Sequence, residues 1–331
     1  MSLLTSNTNA AIIEAVQYSD FFITHLDDMM LPDMFVRNVS DFTNGQTLNI
    51  PVVGDRVLQE VSEDRAMSAT PIDQNAVTLT ITDYVGDAFY VTDELREDAA
   101  QVERLLAENA HRSMMKIKEY IESRWLAVIG DASQNSQQTA SNPNTINGFN
   151  HRWVASGTAN AISLNDFRYA KLVADKSRWP MSSRVAIIGP EDEFVLNSLF
   201  NVNTNVDSFI QNPNFQGLVQ SGFMNDHRFV ADIYGWMVFT SNFLPTVTET
   251  ITATGVNPAA SGGARTVTAG HANVFMSVAS DSHKPGMFAW RRTPRTETKR
   301  EANPPRDEFF HTTRFGVGVQ RPETLIVVLT P

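Results

Sequence analysis

From Thr92 to Gly130 the chain runs without a proline, and without a glycine until the last position. Leu95, Ala99, Val102, Leu106, Ala110, Met114, Ile117, Ile121 and Val128 recur there in steps of three and four with one gap. That spacing predicts one amphipathic helix. Thr92 and Asp93 suit its N-cap, with Glu94, Glu97 and Asp98 in the first turn. Arg112, Lys116, Lys118 and Arg124 gather later, and Gly130 can supply a left-handed stop. At 1.5 Å per residue this is a rod of roughly 55 Å, several times the usual helix. The heptad is not strict and no second long helix accompanies it, so it reads as a spine joining separated parts rather than as a coiled coil.

The chain around this spine has no cysteine, which excludes a disulfide framework, thiolate metal sites and cysteine nucleophiles. Its longest apolar runs, such as LIVVL at 325–329, are too short to span a bilayer. The start lacks the basic and long apolar stretches of a signal peptide, so a cytoplasmic, unprocessed product is expected. At 331 residues there is room for two cores. The net charge of −11 is uneven: residues 1–91 hold thirteen Asp/Glu against three Arg, while 284–314 hold eight Lys/Arg against four Asp/Glu. The acidic portion would be repelled by phosphate, and no tract reads as a nucleic-acid footprint.

Residues 1–45 show only a weak helical pattern and read as an arm that packs on something else. From Gln46, TLNIPVVGD and AVTLTITDYVGDAFYVT alternate like strands on either side of about twenty polar residues, giving an extended β-hairpin over 46–91. It has too little apolar surface to stand alone and must lean on a neighbour. After the spine and a polar loop, Ser163 and Asp166 form a capping box that opens a helix to about Trp179. RVAIIGP is a short buried strand, EDEFVLNSLF a helix, and HRFVADIYGWMVFTSNFLP two strands around Gly235. The alternating order predicts an α/β unit over 161–280. Within it, two Thr-rich strands flank a tip at 255–264. The last fifty residues give two further strands meeting at Arg321–Pro322, the final one closing a sheet beside the spine.

Seven histidines are scattered with no pair at metal-ligand spacing, and neither a G-x-S-x-G turn nor a G-x-x-x-x-G-K-[ST] loop occurs. Gly316-Val-Gly318 lacks the third glycine of a dinucleotide site and reads as a β feature. Asp27–Asp28 and Glu63–Asp64 have the chemistry of hard-cation ligands, but solvated acidic loops explain them better. The five tryptophans read as core or interface anchors. No catalytic, cofactor-binding or metal-binding residue is named.

The order of elements resembles the major capsid protein of tailed double-stranded DNA bacteriophages, a fold shared with encapsulin shells. TNGQTLNIPVVGD is similar to the end of that family's arm leading into its extended loop, and FYVTDELREDA to the start of its spine helix. TINGFN is similar to the turn after the spine, RVAIIGPEDEFVLNSL and ADIYGWMVFTSNFLP to the axial domain, and FGVGVQRPETLIVV to the peripheral domain's last strands. The resemblance implies an α+β fold: N-terminal arm 1–45, extended β-hairpin loop 46–91, spine helix and first part of the peripheral domain 92–160, axial α/β domain 161–280, second part of the peripheral domain 281–331. It implies a structural, non-enzymatic protein that assembles with itself as pentamers and hexamers into an icosahedral head in the virion, enclosing double-stranded DNA without sequence-specific binding. A separate scaffolding protein and a portal are implied partners, a decoration protein has room, and no membrane is involved. The competing readings are an encapsulin-like compartment and an enzyme with its site in 161–280. Some members cross-link an extended-loop Lys to the peripheral domain, but the first Lys here is Lys116, so a non-covalent shell is expected. The extended loop of one subunit lies over its neighbour in this family. Asp55, Glu60, Glu63 and Asp64 are therefore expected to meet Arg291, Arg292 and Arg295 of an adjacent subunit.

Overall fold

The computed structural model describes residues 35–39, 45–53, 74–98, 102–134, 145–146, 149–200, 229–252 and 264–331. A short β1 (Arg37–Asn38) precedes the expected hairpin, in which β2 (Thr47–Val53) pairs antiparallel with β3 (Gln74–Thr80), Thr47 opposite Thr80 and Val53 opposite Gln74. The second strand of the hairpin is not continuous as the sequence suggests. It breaks at Ile81–Thr82, and β4 (Asp83–Thr92) leaves to pair with another strand. The alternation survives the break because Leu79 and Ile81 are both buried while Thr78 and Thr82 are exposed.

Thr92 caps the next helix as predicted, its hydroxyl accepting the N–H of Leu95 at 3.4 Å. The spine is described as α1 (Asp93–Asp98) and α2 (Val102–Gly130). Its buried face differs from the predicted stripe. Ser113, Ile117, Glu122, Trp125, Leu126 and Ile129 are buried, whereas Ala110, Met114, Ile121 and Val128 are half-buried and Leu95 is exposed. Polar Ser113 and Glu122 sit inside because they find partners, which hydrophobic periodicity cannot register: Ser113 donates to Asp87, and Glu122 accepts from Ser241 at 2.7 Å. Gly130 ends the helix without taking the left-handed conformation. A Cβ there would stand 2.7 Å from the Pro245 ring, so close approach is what requires glycine. Arg152 caps the helix end instead, donating to the Gly130 carbonyl at 2.8 Å.

Short strands β5 (Thr145–Ile146), β6 (Phe149–Asn150) and β7 (Arg152–Val154) lead to α3 (Leu164–Lys176), where the backbone N–H of Ser163 donates to Asp166 at 2.9 Å as the capping box requires. Then come β8 (Arg184–Ile188), α4 (Pro190–Phe200), β9 (Phe229–Ile233), β10 (Trp236–Thr240), β11 (Thr246–Thr252), β12 (Ala264–Ser277), β13 (Gly286–Ala302), β14 (Pro305–Val319) and β15 (Leu325–Thr330).

One sheet has the order β7-β15-β12-β8-β10-β9, with β11 added on β12; the other has the order β1-β13-β14-β4. In the first, Ala186, Ile188, Phe275, Ile326 and Val328 pack with Phe167 of α3 and Leu196 of α4, while Val185, Ile187, Val274, Val327 and Leu329 pack with Trp125, Leu126 and Ile129 of α2. Covered on both faces, its central strands read as unbroken apolar runs. The sequence reading places β15 with β14 in the 281–331 part, and the sheet topology corrects this: a uniformly apolar strand carries no mark of which sheet it joins. β15 lies inside the α/β sheet, between β12 and the edge strand β7, while β14 belongs to the other sheet. The α/β sheet thus draws strands from 152–154 and 325–330, outside the 161–280 span expected for it.

Residues 35–39 tie the two sheets together. Phe35 is 1% exposed and meets Phe239 edge-on at 5.0 Å in the α2-facing core of the α/β sheet. Four residues on, Val39 donates its N–H to the Phe288 carbonyl and joins Leu79, Ile81, Met287 and Ala289 in a separate cluster.

Candidate intersubunit surfaces

Strands β13 and β14 form a long ribbon, widened by β4, and alternation gives it two different faces. On the spine side Phe89 stacks on Phe309 at 5.1 Å, and Tyr120 of α2 meets Phe315 edge-on at 6.2 Å. Two polar links hold α2 to β4: Ser113 to Asp87 at 2.5 Å and Arg124 to Asp83 at 3.2 Å. At the far end Arg300 grips Asp93 with both Nη groups and reaches Asp307 at 3.2 Å, while Arg96 bonds Asp307 at 2.7 Å. The first turn of α1 is thereby fastened to the ribbon. The Arg300 guanidinium holds the Asp93 carboxyl below the usual carboxylate range.

The opposite face begins at the root of the hairpin. There Met287, Ala289, Gly316 and Gly318 lie beneath Leu79, Thr80 and Ile81. A Cβ on Gly316 would come within 2.7 Å of the Thr80 carbonyl, and one on Gly318 within 3.0 Å of the Leu79 side chain. The Gly-Val-Gly pair is therefore a β feature with a defined task, making room for the hairpin to cross the sheet. The next row outward is Arg292, Arg314 and Tyr84, in register across the three strands. The Arg292 guanidinium lies 5.7 Å from the centre of the Tyr84 ring, and Tyr84 is 61% exposed. Like charges directly opposite repel, and Arg292 meets Tyr84 here, its Nη1 lying 3.5 Å from the Tyr84 hydroxyl. Farther out Arg306 lies 4.9 Å over Tyr90 and bonds Glu308 at 2.6 Å, and Lys299 bonds Glu301 at 2.7 Å.

Of the seven expected contact residues, Asp55, Glu60, Glu63 and Asp64 lie outside the described residues, as do residues 255–263 of the tip expected at 255–264; its last residue, Ala264, opens β12. The three arginines sit together where β13 twice shifts register, between Trp290 and Arg295. They are not equivalent. Arg295 already pairs with Glu297 of its own chain, Arg292 lies on Tyr84, and Arg291 is exposed. Tyr84 was not singled out by the sequence, because nothing in the local pattern shows that it stands two strands from Arg292.

Within the α/β sheet the buried ionisable groups are bound into the fold. Asp166 accepts from the Ser156 and Ser163 N–H groups and from the Trp153 indole, and burial raises its carboxyl. Asp192 accepts from Asn273 at 2.6 Å and Thr330 at 2.7 Å, fastening the chain's last strand to the first turn of α4; burial raises it also. His151 bridges the Leu325 carbonyl and the Ser177 hydroxyl, and burial lowers it to about 4. These contacts position elements rather than substrates. Among the described residues no group of side chains could hold a metal ion, and no helix is long and apolar enough to cross a membrane.

The fold has close counterparts. The Mycobacterium phage Che8 structure covers 96% of this chain and 97% of its own at 15% identity, with a TM-score of 0.62. The mature capsid of bacteriophage PhiM1 aligns at 14% identity over 98% of this chain and 94% of its own, with a TM-score of 0.69. The capsid of a native GTA particle covers 99% of both chains at 13% identity, with a TM-score of 0.62. At such identities the likeness is one of fold. No curated protein matches the sequence. The family model described as phage capsid protein matches residues 74–328, from the second strand of the hairpin to the final strand. With most of its length matched, the chain belongs to the phage capsid protein family and is a structural subunit of the virion shell.

Proposed function

We propose that this chain forms pentamers and hexamers that close an icosahedral head around double-stranded DNA, with the β2–β3 hairpin of each subunit laid over its neighbour. The observation that carries the reading is the hairpin itself. Its root is clamped by Leu79 and Ile81 against the ribbon, yet β2 and β3 pair only with each other among the described residues, and Val52 at the outer end is 38% exposed. A two-stranded ribbon is at best marginally stable alone, so one that pairs with no other described strand is suited to a partner's surface. A separate scaffolding protein and a portal belong to the same proposal.

The charge pairing between subunits is kept with a narrower footing. Arg291, Arg292 and Arg295 are the cations it draws on, and of these Arg295 also bonds Glu297 within its own chain. The acidic partners are Asp55, Glu60, Glu63 and Asp64 of the next subunit. Electron microscopy of the purified protein, co-expressed with its scaffold, tests the reading. Closed shells are expected. Removing 54–73 should leave a folded subunit with unchanged circular dichroism and abolish shells; shells of normal size from that deletion would overturn the role given to the hairpin.

A further inference from the structure

Strand β11 pairs with β12 and with no other strand among the described residues. Among the described residues its seven residues leave unpaired an edge of roughly 23 Å, at about 3.3 Å each. Proteins usually blunt such edges with outward charges, proline or register shifts. The edge of β13 that no described strand pairs follows that rule, carrying Pro294, two register shifts, Arg295 and Lys299 beyond its two-residue pairing with β1. β11 follows it only in a single shift between Val247 and Glu249, after which Glu249–Thr252 run in regular register. Its exposed residues Thr246, Thr248 and Thr250 are uncharged, as are Thr266 and Thr268 on β12. Their hydroxyls are partly committed: Thr250 and Thr266 bond each other at 2.8 Å, and Thr248 accepts the Ala269 N–H at 3.0 Å. The one charge on the strand, Glu249, is taken by buried Arg152 through Nε at 2.9 Å and Nη2 at 2.6 Å.

Beside this strand lies an open groove of about 420 Å³. Residues 245–249 form one wall, and Ala127, Gly130, Asp131 and Ala132 at the end of α2 form the other, with Arg152 also lining it. The small side chains leave the space unfilled. An unpaired edge supplies main-chain donors and acceptors, and a groove along it takes the alternate side chains of an incoming strand; strand addition needs both. The groove lies at the negative end of the α2 dipole beside exposed Asp131, so it suits a neutral or basic incoming residue and not an acidic one.

We propose that the β11 edge receives an extended segment of a second copy of this chain by strand addition as the shell forms. The occupant is another copy because subunits of this family repeat side by side. Copies that each carry −11 charges also approach with least repulsion along an uncharged edge. The inference rests on the shell-forming reading and adds a contact separate from the hairpin.

Amide hydrogen exchange over 246–252, compared between unassembled subunits and shells of the unaltered protein, tests it. Exchange should slow at least tenfold on assembly. A second measurement identifies the occupant: shells built from equal parts of unlabelled and ¹⁵N-labelled chains, each with photoreactive benzoylphenylalanine in place of Thr248, are irradiated. Cross-linked peptides joining labelled to unlabelled chains are expected in about half the products. Cross-links confined to one isotope would mean that the chain covers its own edge, and unchanged exchange would mean that the edge stays open; either overturns the proposal. Micrographs of the same samples separate the two levels. Shells with an unprotected β11 refute the strand addition alone, whereas no shells from the unaltered protein refute the shell-forming reading and this inference with it.

Discussion

Gly316 lies beneath the carbonyl of Thr80, so near that an added Cβ would stand 2.7 Å from that oxygen and 3.0 Å from the Ile81 Cα. Both opposing atoms belong to the backbone, so neither can swing aside, and Gly316→Ala must lift the hairpin root off the ribbon. Overpacking of this kind costs about 1–3 kcal/mol. Denaturant unfolding should register that loss, and shell yield should fall further than in a variant of equal stability altered elsewhere, because the hairpin's direction changes as well. Equal yields at matched stability would show that the root does not set the hairpin's aim.

Phe35→Ala should destabilise the subunit by about 3–5 kcal/mol, the usual cost of emptying a fully buried aromatic site. Phe35 fills the α/β core while Val39, four residues later, fills the hairpin-root cluster. The loss should therefore loosen the joint between the two sheets, seen as faster amide exchange at Val39 and Phe288. Val39→Ala should cost less, since less volume is removed.

The buried His151 predicts acid weakening. Folding lowers it from 6.5 to about 4, so the unfolded chain binds the proton first. Its neutral form contributes its full stability above pH 6.5, and that contribution is lost as pH falls toward 4, up to about 3 kcal/mol. Asp166 and Asp192, raised by burial, act in the opposite sense, because their charged forms are the disfavoured ones. Urea unfolding from pH 7 to pH 4.5 should show the decline, and His151→Gln should flatten it even if the variant is less stable at pH 7.

Reversing Glu63 and Asp64 to Lys should impair assembly, and Arg292→Glu or Arg291→Glu in the same chain should partly restore it. Arg295→Glu should restore less than Arg292→Glu, since Arg295 already faces Glu297. Exposed pairs are worth about 0–1 kcal/mol each, but every subunit repeats them, and such pairs guide register more than they add affinity. Shell counts by microscopy across the series decide the matter; no response to any reversal would remove the charge pairing.

With Lys116 the first lysine, no lysine of the hairpin is available for a covalent bond to the ribbon. Mature shells should run on a denaturing gel as one band at the 36.8 kDa of the monomer. A ladder of covalent oligomers would refute this.

What the sequence determined by itself was every feature written in local spacing. The Thr92 cap, the Ser163–Asp166 box, the alternation that buries Leu79 and Ile81, and the buried RVAII strand all follow from neighbours a few residues apart, and each stands as read. The order of such elements was enough to mark the family. Tertiary structure alone decided which sheet received β15, because a strand covered on both faces is uniformly apolar wherever it lies. It also decided which side of α2 turned inward. Ser113 and Glu122 are buried there because Asp87 and Ser241 meet them from 26 and 119 residues away. The end of α2 and the row of Arg292, Arg314 and Tyr84 followed the same rule. Arg152 caps Gly130 and stacking holds Arg292 on Tyr84 only after distant strands have paired, and strand register is set by packing rather than by any spacing along the chain.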